Sequence, residues 1–150
     1  MATRSVISKI DKKVSNGEIT AVYCHSDGYL SWNGKILNEH YTNGNKVDEL
    51  LSNGGISILN ENIGKPGIDF NDYKKFGSLK QSRFYHRDRG EDKKEAATLG
   101  GENELVKFAT EKCDAEYIYM FAFGSWYVYD VYNNSEFVEL EDEIAVIGIR

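Results

Sequence analysis

Ten residues, Arg83 to Asp92 (RFYHRDRGED), hold three arginines, one histidine and three carboxylates. Guanidinium groups beside an aromatic ring suit a phosphate, a carboxylate or a stacked base, because the planar fork pairs with two oxygens at once. In an extended strand Arg83, Tyr85, Arg87 and Arg89 would share one face, with Phe84, His86 and Asp88 on the other. Like charges so close need an anion. The chain can supply one itself, since residues 136–143 (EFVELEDE) carry five carboxylates and no base. An external ligand could do the same.

A second stretch, CHSDGY (24–29), sets a thiol beside an imidazole. Neighbours on a strand point to opposite faces, so Cys24 and His25 cannot act as nucleophile and base together. The structural reading makes Cys24 core, puts His25 at the end of a sheet and uses Asp27-Gly28 as a turn. His25, Asp27, His40, His86 and Asp88 would have to converge from three elements to hold a metal, and no histidine spacing of the HxxxH or HExxH kind occurs. No metal or cofactor is therefore expected. LGGEN (99–103) is a glycine-rich helix start without the Lys-Ser/Thr of a phosphate loop.

The elements that must position these groups follow from periodicity. Asn16-Gly17 predicts a two-residue hairpin turn between strands over 6–14 and 18–25, pairing Val14 with Ile19, Lys12 with Ala21 and Ile10 with Tyr23. Ile19, Ala21 and Tyr23 then share a face that ends at His25; Val22 and Cys24 lie opposite. Trp32, Ile36, Leu37, His40 and Tyr41 form one helical stripe that Ser31 would cap. Val47, Leu50 and Leu51 mark a second helix, stopped at Asn53-Gly54-Gly55. Residues 60–80 read as a flexible insert that Ile68, Phe70, Tyr73 and Phe76 could pin down. SRFYHRD reads as a third strand, 90–101 as a polar connection, and 102–113 as a helix facing inward through Leu105, Phe108 and Ala109. Gly124-Ser125 predicts a hairpin pairing Phe123 with Trp126, Phe121 with Val128 and Tyr119 with Asp130. Both of its faces are apolar, so either both are covered or the face bearing Tyr117, Tyr119, Phe121, Phe123 and Trp126 is an interface. A turn at 133–135 leads into a last strand. The expected fold is α+β: a single domain with a mostly antiparallel sheet of about five or six strands and three helices packed on it.

Twenty-four acidic residues against eighteen basic ones leave a net charge of −6, which opposes general DNA binding. The longest apolar run, YIYMFAF, is too short to span a membrane, and the N-terminus lacks the apolar core of a signal peptide. Two cysteines far apart make no disulfide framework, as expected of a reduced, cytoplasmic protein.

Three stretches together, ATRSVI (2–7), YCHSDGY (23–29) and YHRDRGE (85–91), resemble a family of small phage and prophage proteins of unassigned function. Ser26 and Leu30 stand where that family usually has tryptophan and proline. Gly34, Leu37 and Tyr41 fit its first helix, and KVDELLSNGGIS its second. The resemblance implies a phage origin and transfers no catalytic residue. The leading expectation is a phage-encoded, non-catalytic binding protein in the host cytoplasm, of the host-takeover or anti-defence kind. It would bind a host protein or sequester a small anionic ligand of the nucleotide class, through Arg83, Tyr85, His86, Arg87, Arg89, His25, Asp27 and Tyr29. The alternatives are a small enzyme acting on a nucleotide or phosphorylated ligand, and a module that self-associates through the tyrosine-rich hairpin.

Overall fold

The computed structural model describes residues 2–11, 17–93, 95–133 and 136–149. Among these residues eight strands form one mixed sheet: β1 (Ser5–Asp11), β2 (Glu18–Cys24), β3 (Ile56–Ile58), β4 (Arg83–Phe84), β5 (Ala97–Leu99), β6 (Tyr117–Ala122), β7 (Ser125–Asp130) and β8 (Val138–Glu139). Their order is β4-β3-β2-β1-β6-β7-β8, with β5 also on β2. The pairs β1–β6 and β2–β3 are parallel and the other five are antiparallel.

The helices are α1 (Lys35–His40), entered through a π-helical turn at Leu30–Gly34, then α2 (Gly44–Ser52), α3 (Tyr73–Ser78), α4 (Tyr85–Arg89), α5 (Glu102–Lys107) and α6 (Leu140–Ile149). A second π-helical turn, Phe108–Lys112, extends α5. The α+β class stands, with a larger sheet and twice the helices expected.

Side-chain alternation splits the core in two. Ile7, Val22, Cys24, Tyr119, Phe121, Trp126 and Val128 face α1, α2 and α6; Val6, Ile19, Ala21, Ile118, Met120 and Ala122 face α5. The tyrosine-rich hairpin is thus covered on both sides. Tyr119, Phe121 and Trp126, expected as interface in one of two readings, are core at 0%, 5% and 4% exposure. Burying large apolar side chains of this kind stabilises by about 1.5–3 kcal/mol each. Their polar ends are also bonded: Trp126 Nε1 donates to the Tyr41 carbonyl at 2.8 Å, and the Tyr119 hydroxyl to the Gly28 carbonyl at 2.6 Å.

Both hairpin registers differ from expectation by an even number of residues in the pairing, two in β6–β7 and four in β1–β2, which leaves every side chain on its expected face. In β6–β7, Phe121 pairs with Trp126 and Tyr119 with Val128. The turn is Phe123-Gly124, with φ of +54° and +78°, as a type I′ turn requires. In β1–β2, Ile10 pairs with Ile19 and Asp11 with Glu18; Lys12, Val14 and Asn16 lie outside the described residues.

Three further expectations are corrected. SRFYHRD is strand only at Arg83–Phe84; Tyr85–Arg89 is helix, ended by Gly90 at φ +78°. Asp88 decides this, because its carboxylate reaches back to the Phe84 N–H at 2.8 Å and holds the first turn, much as a capping box does. EFVELED is strand only at Val138–Glu139, after which Glu141, Asp142 and Glu143 open α6, where acids suit the positive end of the helix dipole. The connection at 90–101 contains β5. Within 60–80, α3 forms behind Asp72, whose side chain accepts from the Lys75 N–H at 3.1 Å. Phe76 is buried, Phe70 half-buried and Tyr73 exposed.

Candidate functional site

Two short strands share the outer edge of β2. β5 pairs with Ile19, Thr20 and Ala21, and β3 meets Cys24. Between them Val22 and Tyr23, paired with β1 on the other side, have no partner strand on this edge among the described residues. A cleft of about 690 Å³ opens at this split, lined by Arg4, Val22, Tyr23, Tyr85, Glu91, Ala97, Phe108, Lys112, Cys113 and Asp114 among others.

Each wall has a local cause. Arg4 leads into β1, where its carbonyl accepts from the Glu116 N–H at 2.8 Å. Tyr23 lies on the Ile19–Ala21 face of β2 and so projects beside α5. Tyr85 begins α4, its N–H on the Gly55 carbonyl at 3.4 Å; Glu91 closes that helix by donating its N–H to the Tyr85 carbonyl at 3.2 Å. Phe108, Lys112 and Cys113 come from the π-helical end of α5.

A chain of polar contacts runs along one side. Arg4 Nη1 meets the Asp114 carboxylate at 3.3 Å, Arg4 Nε donates to the Tyr23 hydroxyl at 3.2 Å, and that oxygen lies 2.6 Å from His25 Nδ1. The Tyr23 hydroxyl can give its proton to His25 Nδ1 or accept one from it, so the contact is met in either imidazole tautomer. Burial raises the Tyr23 pKa, against the bond and charge of Arg4. Burial, then Arg4, lowers that of His25. Both groups are therefore neutral at pH 7, and the chain orients donors. Burial pushes the Cys113 thiol in the cleft wall up to about 11, and likewise Cys24, so neither is a thiolate near neutrality.

The residues singled out in the sequence fall in four places. His25, through Tyr23, and Tyr85 belong to the cleft. Arg83 and Arg87 turn inward. Arg87 sets Nε and Nη2 on the two Asp88 oxygens at 3.0 and 3.1 Å, and Nη1 on the Ile63 and Gly64 carbonyls at 3.0 and 3.2 Å. Arg83, 6% exposed, bonds the Phe70 carbonyl and the Ser57 hydroxyl, both at 3.0 Å. His86 and Arg89 are exposed on α4, with His86 Nδ1 2.8 Å from the Glu91 carbonyl and Arg89 3.5 Å from the Glu91 carboxylate. No strand sets the arginines in a row: Arg83 and Arg89 approach the Phe70 ring at 4.3 and 5.2 Å, with the Tyr85 ring 6.1 Å from it, while Arg87 turns to Asp88.

Asp27, at φ +56°, accepts from the Tyr29 hydroxyl at 3.0 Å. Tyr29 and Tyr117 line a separate recess of about 530 Å³ with Asp130 and Glu143. His40 pairs with Glu61 at 2.7 Å, and among the described residues no cluster of three His, Cys, Asp or Glu side chains is placed to hold a metal. Sequence reasoning missed Arg4, Ser57, Phe108 and Lys112, which come from scattered elements with no shared spacing. Tyr23 was visible as the last aromatic on its strand face before His25.

Neither a family model nor a curated protein nor a solved structure matches the chain.

Proposed function

We propose that the chain is a phage-encoded, non-catalytic binding protein of the host cytoplasm, and that the cleft at the split edge of β2 sequesters a small ligand used by the host. One observation supports this reading above others: the three stretches that carry the phage resemblance meet at this cleft. Arg4 comes from ATRSVI, Tyr23 from YCHSDGY, and Tyr85 and Glu91 from YHRDRGE. Tyr23, Tyr85 and Phe108 offer aromatic surface for a planar body. Arg4 and Lys112 supply cations for an anionic group. The Arg4–Asp114 pair is exposed, at 39% and 81% of the two side chains, so exchanging Asp114 for a ligand anion costs little. Glu91, Asp92 and Glu95 add acceptors, which suits a ligand with hydrogen-bond donors on that body.

The test is to denature protein purified from a bacterial host and identify released small molecules by mass spectrometry, in the native chain and in Arg4→Ala and Tyr85→Ala. A stoichiometric anionic molecule that both substitutions remove is the expected result. Slow conversion of that molecule by the native protein would move the reading to the enzyme alternative. A native chain that carries nothing and binds nothing from a host small-molecule extract would overturn the reading.

A further inference from the structure

Arg83 is a buried guanidinium with no carboxylate within 4.0 Å among the described residues. Its Nη1 is used by the Phe70 carbonyl and its Nη2 by the Ser57 hydroxyl; its buried Nε has no hydrogen-bond partner. The contrast with Arg87, four residues on, is instructive. There the same edge of the guanidinium, Nε with Nη2, closes on both oxygens of Asp88. In Arg83 that edge meets a single neutral hydroxyl. A desolvated cation with half of its fork unpaired is costly, and two oxygens of one anion would satisfy it.

The cover over this group is thin. Phe70 and Tyr73 each lie against the guanidinium with the ring centroid 4.3 Å from its central carbon. Phe70 belongs to the segment leading into α3 and Tyr73 is the first residue of that helix; residues 71–75 are all exposed and Tyr73 itself is 59% exposed. The Tyr85 ring lies 6.1 Å from that of Phe70, and burial raises its hydroxyl pKa against the influence of Ser57 and the charge of Arg83.

We propose that the Nε–Nη2 edge of Arg83, with the Ser57 hydroxyl turned to donate, is an oxyanion site for a carboxylate or phosphoryl group, covered by Phe70 and Tyr73. The anion takes both fork hydrogens, and the stacked rings shield the pair from water. This inference does not depend on what occupies the cleft, since a chain that releases no small molecule on denaturation can still bind an anion here.

The test follows the Arg83 Nε–H signal in nitrogen–proton correlation spectra during titration with inorganic phosphate, and separately with acetate, at constant ionic strength in chloride. Saturable movement of that signal is expected with at least one of them. Phosphate alone would identify a phosphoryl group, and acetate alone or both together a carboxylate-type site. Arg83→Lys, which keeps the charge and loses the fork, should abolish the response. Ser57→Ala should weaken it. Tyr73→Ala, at an exposed position, should weaken binding by about tenfold by letting water reach the ion pair. A signal that neither anion moves overturns the proposal, as does Arg83→Lys binding as tightly as the native chain. Unchanged affinity in Tyr73→Ala overturns the role given to the cover.

Discussion

Arg87 and Asp88 show what the charged knot in the sequence is for. The Asp88 side chain is fully buried, and its charge is met by the Arg87 fork and the Phe84 N–H. Arg87 also gathers three main-chain carbonyls, of Ile63, Gly64 and Ser82. Arg87→Ala would strand a buried carboxylate and is expected to cost about 3–5 kcal/mol in urea unfolding, where an exposed pair would cost at most about 1. A loss below 1 kcal/mol would show Asp88 to be solvated. His25 gives a second expectation at this scale. Its folded pKa lies below the ordinary 6.5, so between the two values the unfolded chain binds more protons. Stability from this group is full above pH 6.5 and declines as pH falls toward the folded value. His25→Gln should remove that part of the acid-side slope in the unfolding midpoint and change little above pH 7; identical slopes in both proteins would contradict it. Cys24 and Gly28 were legible as structural, and the packing shows why. A Cβ on Gly28 would stand 2.7 Å from the Thr3 carbonyl oxygen.

At the scale of elements, periodicity identified faces better than partners. β6 and β7 alternate as expected, but Gly124 alone suggested a type II′ turn starting at that glycine. The chain instead places Phe123 at positive φ, because Phe121 opposite Trp126 brings the two rings to 5.2 Å edge to face in the core. That packing outweighs the cost of a left-handed phenylalanine, about 1–2 kcal/mol. Phe123→Asn is expected to raise the thermal midpoint, by about 0.5–1 kcal/mol of stability, since asparagine is at home in that position. A lowered midpoint would mean that the Phe123 side chain contributes more than its backbone costs. α4 was missed although Gly90 and the basic last turn are helix-stop signals, because alternating aromatic and charged residues imitate a strand over so few positions. The segment 60–80 proves well tied at its ends. Asn62 donates its N–H to the Lys80 carbonyl and accepts from the Ser82 N–H, and the Gln81 side chain bonds both main-chain groups of Lys65.

On the scale of the whole molecule, burial of Tyr119, Phe121 and Trp126 takes away most of the hairpin face that suggested self-association, and leaves Phe123 exposed. Light scattering on the chromatographic peak should give the mass of one chain, and a concentration-dependent dimer would show that another face is used. No helix among the described residues is long and apolar enough to cross a membrane. The sequence by itself determined the α+β class, the sidedness of the long strands and the inward stripes of α1, α2 and α5, because side-chain alternation and helical period are local properties of the chain. Only the tertiary structure decided that β1 lies parallel to β6, that β3 and β5 divide the edge of β2, and that Arg4, Tyr23, Tyr85 and Lys112 face one cleft. Those placements depend on contacts between residues as far apart as Ser5 and Tyr117. No local pattern encodes such a pairing; it follows from burying both faces of one sheet at once.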